Sequence, residues 1–565
     1  MSSLELQAAY GYTKLNWHNI NWARCHRAVR SLQKRIVKAL QKDNWRKVKR
    51  LSYLLTRSFA ARALAVKRVT ENSGKKTPGI DGKLWKTPQQ KIDAVEKISQ
   101  WYNYCPLPLK RIYIPKANNP NKKRPISIPI LEDRSRQALH MQALQVIAET
   151  LADPNSYGFR PKRQCADAIE QCFKILCKKG SAVWVLEADI KGFFDNISFE
   201  WILENIPMDK RLLNQWLQCG FIDKNKFSAT EKGVPQGGII SPIIGNMVLD
   251  KLETLIVGTR YHQKANNVYF VRYADDFIIT ASSKEYLEEI VLPKIKAFLK
   301  PRGVELSEEK TFITHINDGF DFLGQTIRKF PRKQGKNSKL QITPSKKSIK
   351  TIKTKIKDIC NRSKGLSQHR LIDQLNPVIR GWANYHRHWQ CSNAFSNIDS
   401  YIWKCVYRWS RKRHPNKTGW WVAARYFSEK NGYKWTFRDA ETDKNLIYCS
   451  QTVPSQHHIK ITGNANPFCE TWADYFLERD VKLKIRSVSN FKCKVLKKQN
   501  GICPNCQQTI QVKEEVDLHH KDENHSNNTI KNLIFLHPNC HRQTHHAKIT
   551  NNLLEPRLSL DVCDA

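Results

Sequence analysis

The sequence predicts a multidomain α+β protein: a mixed body flanked by helical, basic segments and closed by a small Cys/His unit. Three observations predict it. Between about 110 and 325, short β-rich runs (111–115, 183–190, 268–273, 277–280) alternate with longer helical ones (134–151, 243–254, 284–300). On either side, apolar residues recur at helical spacing among many Lys and Arg. Near the C-terminus, Cys503 and Cys506 stand at the spacing of a metal knuckle.

Length and charge set the frame. At roughly 150 residues per domain, 565 residues imply about four folded units. Lys and Arg number 95 against 51 Asp and Glu, and a net charge of +44 repels itself unless a polyanion neutralises it. Aromatic residues interleave with these cations, a combination suited to stacking on bases beside phosphate contacts. No apolar run approaches the ~20 residues needed to cross a bilayer, and residues 1–12 lack a charged-then-apolar leader pattern, so an intracellular protein without a membrane partner is expected. Most of the 16 cysteines are scattered singly, as reduced core residues are, so a disulfide framework is not expected.

In chain order, 17–70 reads as a basic helical opening, with Val29, Leu32, Ile36 and Leu40 on one face, ending in a loop at 72–81. The mixed body follows. From about 345 to 430 the pattern is helical again and rich in Lys, Arg, Trp and Tyr. After 430 it becomes polar and short-period before the Cys/His unit from about 495.

The chemistry concentrates at two places in the body. Tyr273, Ala274, Asp275 and Asp276 stand between two apolar runs, so two strands joined by a tight turn present carboxylates at a hairpin tip. That tetrapeptide alone is compatible with an ordinary acidic turn. A second acidic site decides: Asp189 ends an apolar run and is followed by Ile190, Lys191, Gly192, Phe193, Phe194 and Asp195, so another strand delivers a carboxylate to a loop. Carboxylates from two strand ends can bridge two Mg²⁺ ions roughly 3.5–4 Å apart, an arrangement that clamps an attacking and a leaving oxygen.

These runs, in this order, resemble the palm of a reverse transcriptase of the group II intron-encoded class. The resemblance implies a right-hand fold of fingers and palm, with Asp189, Asp275 and Asp276 as the Mg²⁺-binding catalytic triad. It implies that Phe194 screens the sugar 2′ face, selecting deoxynucleoside triphosphates, and that Gln236, in the run Gly233, Val234, Pro235, Gln236, Gly237, Gly238, contacts nucleotide and template. Lys116 and Arg124 fall where the family grips the triphosphate, a duty suited to charge-assisted contacts. The runs 306–310 (LSEEK) and 320–324 (FDFLG) resemble later palm motifs, the second a hairpin supporting the primer end. Residues 63–81 match the extension before the fingers. Residues 375–386 (LNPVIRGWANYH) resemble the maturase signature of a helical thumb that holds intron RNA, and cations with rings at Arg380, Trp382, Tyr385, Arg387 and His388 agree. Residues 430–490 resemble the stretch to which DNA binding is assigned in this class.

In the last unit, Cys503 and Cys506 form one knuckle and His537 and Cys540 a second, a ligand set able to close a tetrahedral structural Zn²⁺ site. The family's second knuckle more often reads C-x-x-C, so His537 is a departure. Asp517, Leu518, His519, His520, Asn532, His541 and His545 follow the order of HNH (ββα-metal) endonucleases. That resemblance implies His520 as general base, Asn532 orienting the attacking water, and His519 with His541 and His545 holding one catalytic metal, expected to be Mg²⁺. His541 and His545, at i and i+4, share a helix face. How the pair divides between metal and phosphate stays open, and a structural zinc module binding DNA is the alternative.

The domains expected are an N-terminal helical extension (1–80), fingers and palm (81–330), thumb or maturase domain (331–430), a DNA-binding region (431–494), a zinc-stabilised HNH unit (495–550) and a tail (551–565). The resemblance implies a reverse transcriptase, splicing maturase and endonuclease acting in intron mobility by target-primed reverse transcription. Its partners would be intron RNA and target DNA, with a homodimer left open, in a ribonucleoprotein of the bacterial cytoplasm or nucleoid, a plastid or a mitochondrion. Two alternatives remain at this point: a splicing maturase without polymerase activity, and a reverse transcriptase serving another host system.

Overall fold

The computed structural model describes residues 16–102, 104–116, 119–331, 338–430, 433–452, 456–487, 490–510 and 516–554. Three helices, Trp22–Leu40, Trp45–Arg57 and Phe59–Glu71, open the chain, each capped by an Asn or Ser side chain that accepts from the backbone of its first turn. Their apolar faces meet helix Leu131–Leu151 in one core.

The palm is a four-stranded antiparallel sheet in the order Tyr269–Tyr273, Asp276–Ala281, Trp184–Ala188, Phe312–His315. Alternation along its strands fills two cores: Leu186, Phe270, Phe277 and Ile279 face the helical side, whereas Val185, Val271 and Ile278 face the other. A second sheet, in the order Asn119–Ile128, Leu109–Lys116, Phe221–Asp223, Lys226–Ser228, builds the fingers.

The sequence predicts one helix over 243–254; the structure has two, Ser241–Leu249 and Leu252–Val257. Between them Lys251 takes a left-handed φ of 75°, and the buried Asp153 carboxylate accepts from the backbone N–H of Lys251 and Glu253. A distant carboxylate thus stops a helix that local sequence would continue.

Helices Lys346–Arg362, Gln368–His386, Ser392–Arg413 and Gly419–Tyr426 form the thumb. Its core takes in Phe437, Leu446, Tyr448 and Cys449, so this unit runs past the boundary expected at 430. Nor does 431–494 stand apart beyond that point. Buried Asp167 accepts from Ile461 N (2.7 Å), Arg479 Nη2 (2.8 Å) and His458 Nε2 (2.9 Å), and Ile461, Ala465 and Phe476 join the core beneath the palm. The physical reason is burial: a polar, short-period stretch with few apolar residues of its own folds by lending them to its neighbours.

Strands Asp517–His520 and Leu533–Leu536 pair antiparallel and lead into helix Pro538–Leu554, a ββα unit. It packs on the opening helices: Cys503, Cys540, Leu533 and Phe535 share a core with Trp17, Ile20 and Trp22, and Gln543 Nε2 donates to the carbonyls of His18 and Ile20.

Candidate active sites

The palm register brings the acidic residues together. Ala188 pairs with Phe277 across neighbouring antiparallel strands, so the next residue on one, Asp189, stands opposite the preceding residue on the other, Asp276. The turn joining Tyr273 to Asp276 holds only Ala274 and Asp275, with Ala274 at a φ of 59°. Gly158 lies against it so closely that a Cβ there would sit 2.3 Å from the Ala274 nitrogen. Arg272, fully buried, donates to Asp250 Oδ1 (2.6 Å) and to the Ala274 carbonyl (3.3 Å), holding the turn from behind.

The three carboxylates repel one another. Loss of water, a hydrogen bond to Asp189 and the charges of Asp275 and Asp189 push the Asp276 carboxyl up to about 7. Asp275 is raised as well, first by burial and then by Asp189, with Arg124 and Lys310 opposing. Lys310 Nζ donates to Asp189 Oδ2 and is the one cation in direct contact described there. Three oxygen-bearing side chains with unbalanced negative charge fit Mg²⁺ by donor chemistry and by charge.

The expected nucleotide-contacting residues each have a defined local setting, and Arg124 interacts with the centre through its charge. Phe194 lies between Phe193 (ring centroids 5.1 Å) and Phe159 (6.4 Å), over Gly245, where a Cβ would come within 2.9 Å of its ring. The loop carrying Gln236 is fastened at both ends: Val234 N donates to Phe194 O (2.6 Å), and Ser127 N donates to Gln236 O (2.7 Å). Gly237, at a φ of 127°, allows this approach, since a Cβ would sit 2.4 Å from the Ser127 carbonyl oxygen. Arg124 is exposed on the fingers strand, paired with Ile114, and its charge reaches Asp275. The Lys116 backbone ends the neighbouring strand; its side chain lies outside the described residues.

The sequence did not single out Lys310, Arg272 or Gly158 as site residues. Lys310 stands in the run 306–310 and Gly158 between Tyr157 and Phe159, but only the fold shows what each meets.

In the C-terminal unit, Cys503, Cys506, His537 and Cys540 are buried with ligand atoms all within 4.8 Å of one another. His537 directs Nδ1 at Cys506 Sγ (3.2 Å), and hydrogen bonds from Cys506 and Cys540 drive the Cys503 thiol well below its ordinary range. Three sulfurs and an imidazole fit Zn²⁺. His519, His541 and His545 make a second cluster of the same span, with His541 Nε2 and His545 Nε2 3.1 Å apart and His541 Nδ1 3.3 Å from Asp517 Oδ2. His520 faces Asn528 Oδ1 through Nε2 (3.2 Å), and its buried Nδ1 has no hydrogen-bond partner among the described residues. The Asn532 amide donates to Asp522 Oδ1 (2.7 Å) and Asn527 O (2.9 Å) and accepts from Asp522 N (3.1 Å). It knits the loop that follows His520.

A carboxylate centre at the end of a four-stranded sheet fits a nucleotide polymerase, and comparison with known proteins narrows this to the reverse transcriptases. The family described as reverse transcriptase (RNA-dependent DNA polymerase) matches residues 114–327, its N-terminal domain matches 17–98, and the group II intron maturase-specific domain matches 349–427. The chain therefore belongs to the group II intron-encoded reverse transcriptase/maturase family. It is 30% identical to Protein YkfC of Escherichia coli over 363 residues, covering 57% of this chain and 93% of YkfC. With the group II intron-encoded protein LtrA of Lactococcus lactis it shares 28% over 333 residues, 47% of this chain and about half (54%) of LtrA. With a 91 kDa protein in the cob intron of Schizosaccharomyces pombe it shares 25% over 581 residues, 86% of this chain and 69% of that protein. No described helix is long and apolar enough to cross a membrane.

Proposed function

We propose that this chain copies RNA into DNA at the palm, holds a group II intron RNA through its thumb, and nicks DNA at its C-terminal unit, so that intron mobility proceeds by target-primed reverse transcription. The polymerase part is supported by Asp189, Asp275 and Asp276, which would hold Mg²⁺. When bound, those ions neutralise charge on the attacking 3′-oxygen and the leaving pyrophosphate. The rest falls to side chains. Arg124 and Lys116 grip the triphosphate, Phe194 fills the space a ribose 2′-hydroxyl would need, and the loop bearing Gln236 supports the base pair.

The nuclease part is supported by the His519, His541 and His545 cluster, and by the neighbouring His520 on the same strand, whose Nδ1 has no hydrogen-bond partner among the described residues. Donation of Nε2–H to the Asn528 amide oxygen selects the tautomer whose lone pair is on Nδ1, the form a general base needs. Asn532 would orient the attacking water, and its hydrogen bonds to Asp522 and Asn527 hold the loop that carries it. The four-ligand knuckle would hold Zn²⁺ and stabilise this small unit. DNA binding would involve residues 456–487 only as part of the palm's underside.

The test pairs two assays on the protein assembled with intron RNA. An Asp275→Ala, Asp276→Ala double substitution is expected to abolish Mg²⁺-dependent extension of a DNA primer on an RNA template while sparing nicking of duplex target. His520→Ala is expected to do the reverse. Primer extension that survives the double substitution would sink the polymerase assignment, and nicking that survives His520→Ala would sink the nuclease assignment.

A further inference from the structure

An aromatic cavity of about 560 Å³ opens on the thumb, lined by Trp403, Tyr407, Gly419, Trp420, Ala423 and Trp435. Trp403 and Tyr407, one turn apart on helix Ser392–Arg413, stack nearly parallel, with centroids 5.0 Å apart and planes at 8°. Gly419 keeps the floor open, since a Cβ there would come within 2.9 Å of the Tyr407 hydroxyl. Trp420 is 81% exposed and Trp435 48% exposed. Leaving two indoles this far in water forgoes burial that such rings ordinarily find, which marks a face awaiting a planar occupant.

The surrounding charge says which kind. From Trp403 to Tyr426 the chain carries seven Lys and Arg (Lys404, Arg408, Arg411, Lys412, Arg413, Lys417, Arg425) and no Asp or Glu. Lys404, Arg408 and Lys417 are exposed. An aromatic cavity on a segment so rich in exposed cations fits a base and its phosphates, and folded RNA offers unstacked bases in bulges and loops. We propose that this cavity receives one unpaired nucleobase of a bound RNA, stacked on Trp420 and Trp435, while Lys404, Arg408 and Lys417 hold the adjoining phosphates. The proposal rests on the RNA-holding role of the thumb given above and adds a subsite to it.

The full chain is titrated, at one fixed salt concentration, with two fluorescent RNA hairpins that differ only in a single bulged adenosine. Trp420→Ala is expected to weaken binding of the bulged hairpin about five-fold or more and to leave the fully paired one within about two-fold. Trp420→Phe retains most of the preference. Lys417→Ala weakens both hairpins alike and lowers the salt dependence of each by about one phosphate contact. Because Trp420 is so exposed, its replacement leaves the core untouched, which an unchanged melting temperature checks. Equal loss on both hairpins, no loss on either, or a change in oligomeric state on Trp420→Ala overturns the proposal, the last by assigning the cavity to a second copy of the chain. A native protein that binds neither hairpin overturns the RNA-holding thumb, and the subsite falls with it.

Discussion

The hydroxyl of Tyr385, on a thumb helix, donates a 2.6 Å hydrogen bond to the carbonyl of Leu323, at the tip of the hairpin formed by Phe320–Phe322 and Gln325–Phe330. Leu323 and Gly324 both take left-handed φ values, 47° and 74°, which aim that carbonyl at the thumb. The bond joins the helix carrying the maturase-like run to the hairpin expected to support the primer end.

Tyr385→Phe is therefore expected to cost about 0.5–1.5 kcal/mol of stability, the usual net worth of such a bond. Its larger effect is expected in primer extension, where product length per binding event falls while single-nucleotide addition stays near native. A product ladder under trap conditions reads this out; unchanged product lengths would remove the proposed coupling.

Asp276 gives a pH dependence of definite sign. The unfolded chain releases this proton near the ordinary 3.8, whereas the folded, metal-free chain keeps it to about 7. The metal-free protein thus loses stability as pH rises through that window, and Asp276→Asn removes the loss. Protons compete with Mg²⁺ for the same oxygens, so the Mg²⁺ concentration for half-maximal primer extension should fall several-fold from about pH 6 to about pH 8. A pH-independent Mg²⁺ requirement is the contrary result.

The convergence of these acids was legible in the sequence because each stands where an apolar strand-like run ends, and strand ends in one sheet meet. Its electrostatic setting was not. Lys310 reaches Asp189 across 121 positions, and Asp167 gathers His458 and Arg479 across 291 and 312. Periodicity reports which face of an element is buried; it carries nothing about which distant side chain arrives there. The two helices separated at Lys251 show the same limit, since the carboxylate that breaks them sits at 153.

Phe194 is held by Phe193, Phe159 and Gly245, so shortening its side chain should open space without moving the loop fastened to its backbone. Phe194→Ala is expected to lower the preference for deoxynucleoside over ribonucleoside triphosphates at least about ten-fold, mainly by improving ribonucleotide use. Competing dATP and ATP incorporation opposite the same template base measures it; an unchanged ratio would reassign the ring to packing.

Removal of metal from the Cys503, Cys506, His537 and Cys540 cluster should unfold the C-terminal unit first. Treatment with a strong Zn²⁺ chelator is expected to release about one equivalent of zinc. It should also expose the segment near 490–510 to protease and abolish nicking, with primer extension reduced far less. Full protease resistance after zinc release would show that the unit stands without it.

The packing of the ββα unit against Trp17, Ile20 and Trp22 has a consequence for biosynthesis. The opening helices leave the ribosome early, yet part of their apolar cover is made of residues translated some 500 positions later, a delay of roughly 25–100 s at ordinary elongation rates. Until then a nascent chain must keep that face from other hydrophobic surfaces, through its dense positive charge, a chaperone, or early association with RNA. Ribosome arrest just before the ββα unit, followed by pull-down of the stalled chain, would identify which of the three it uses.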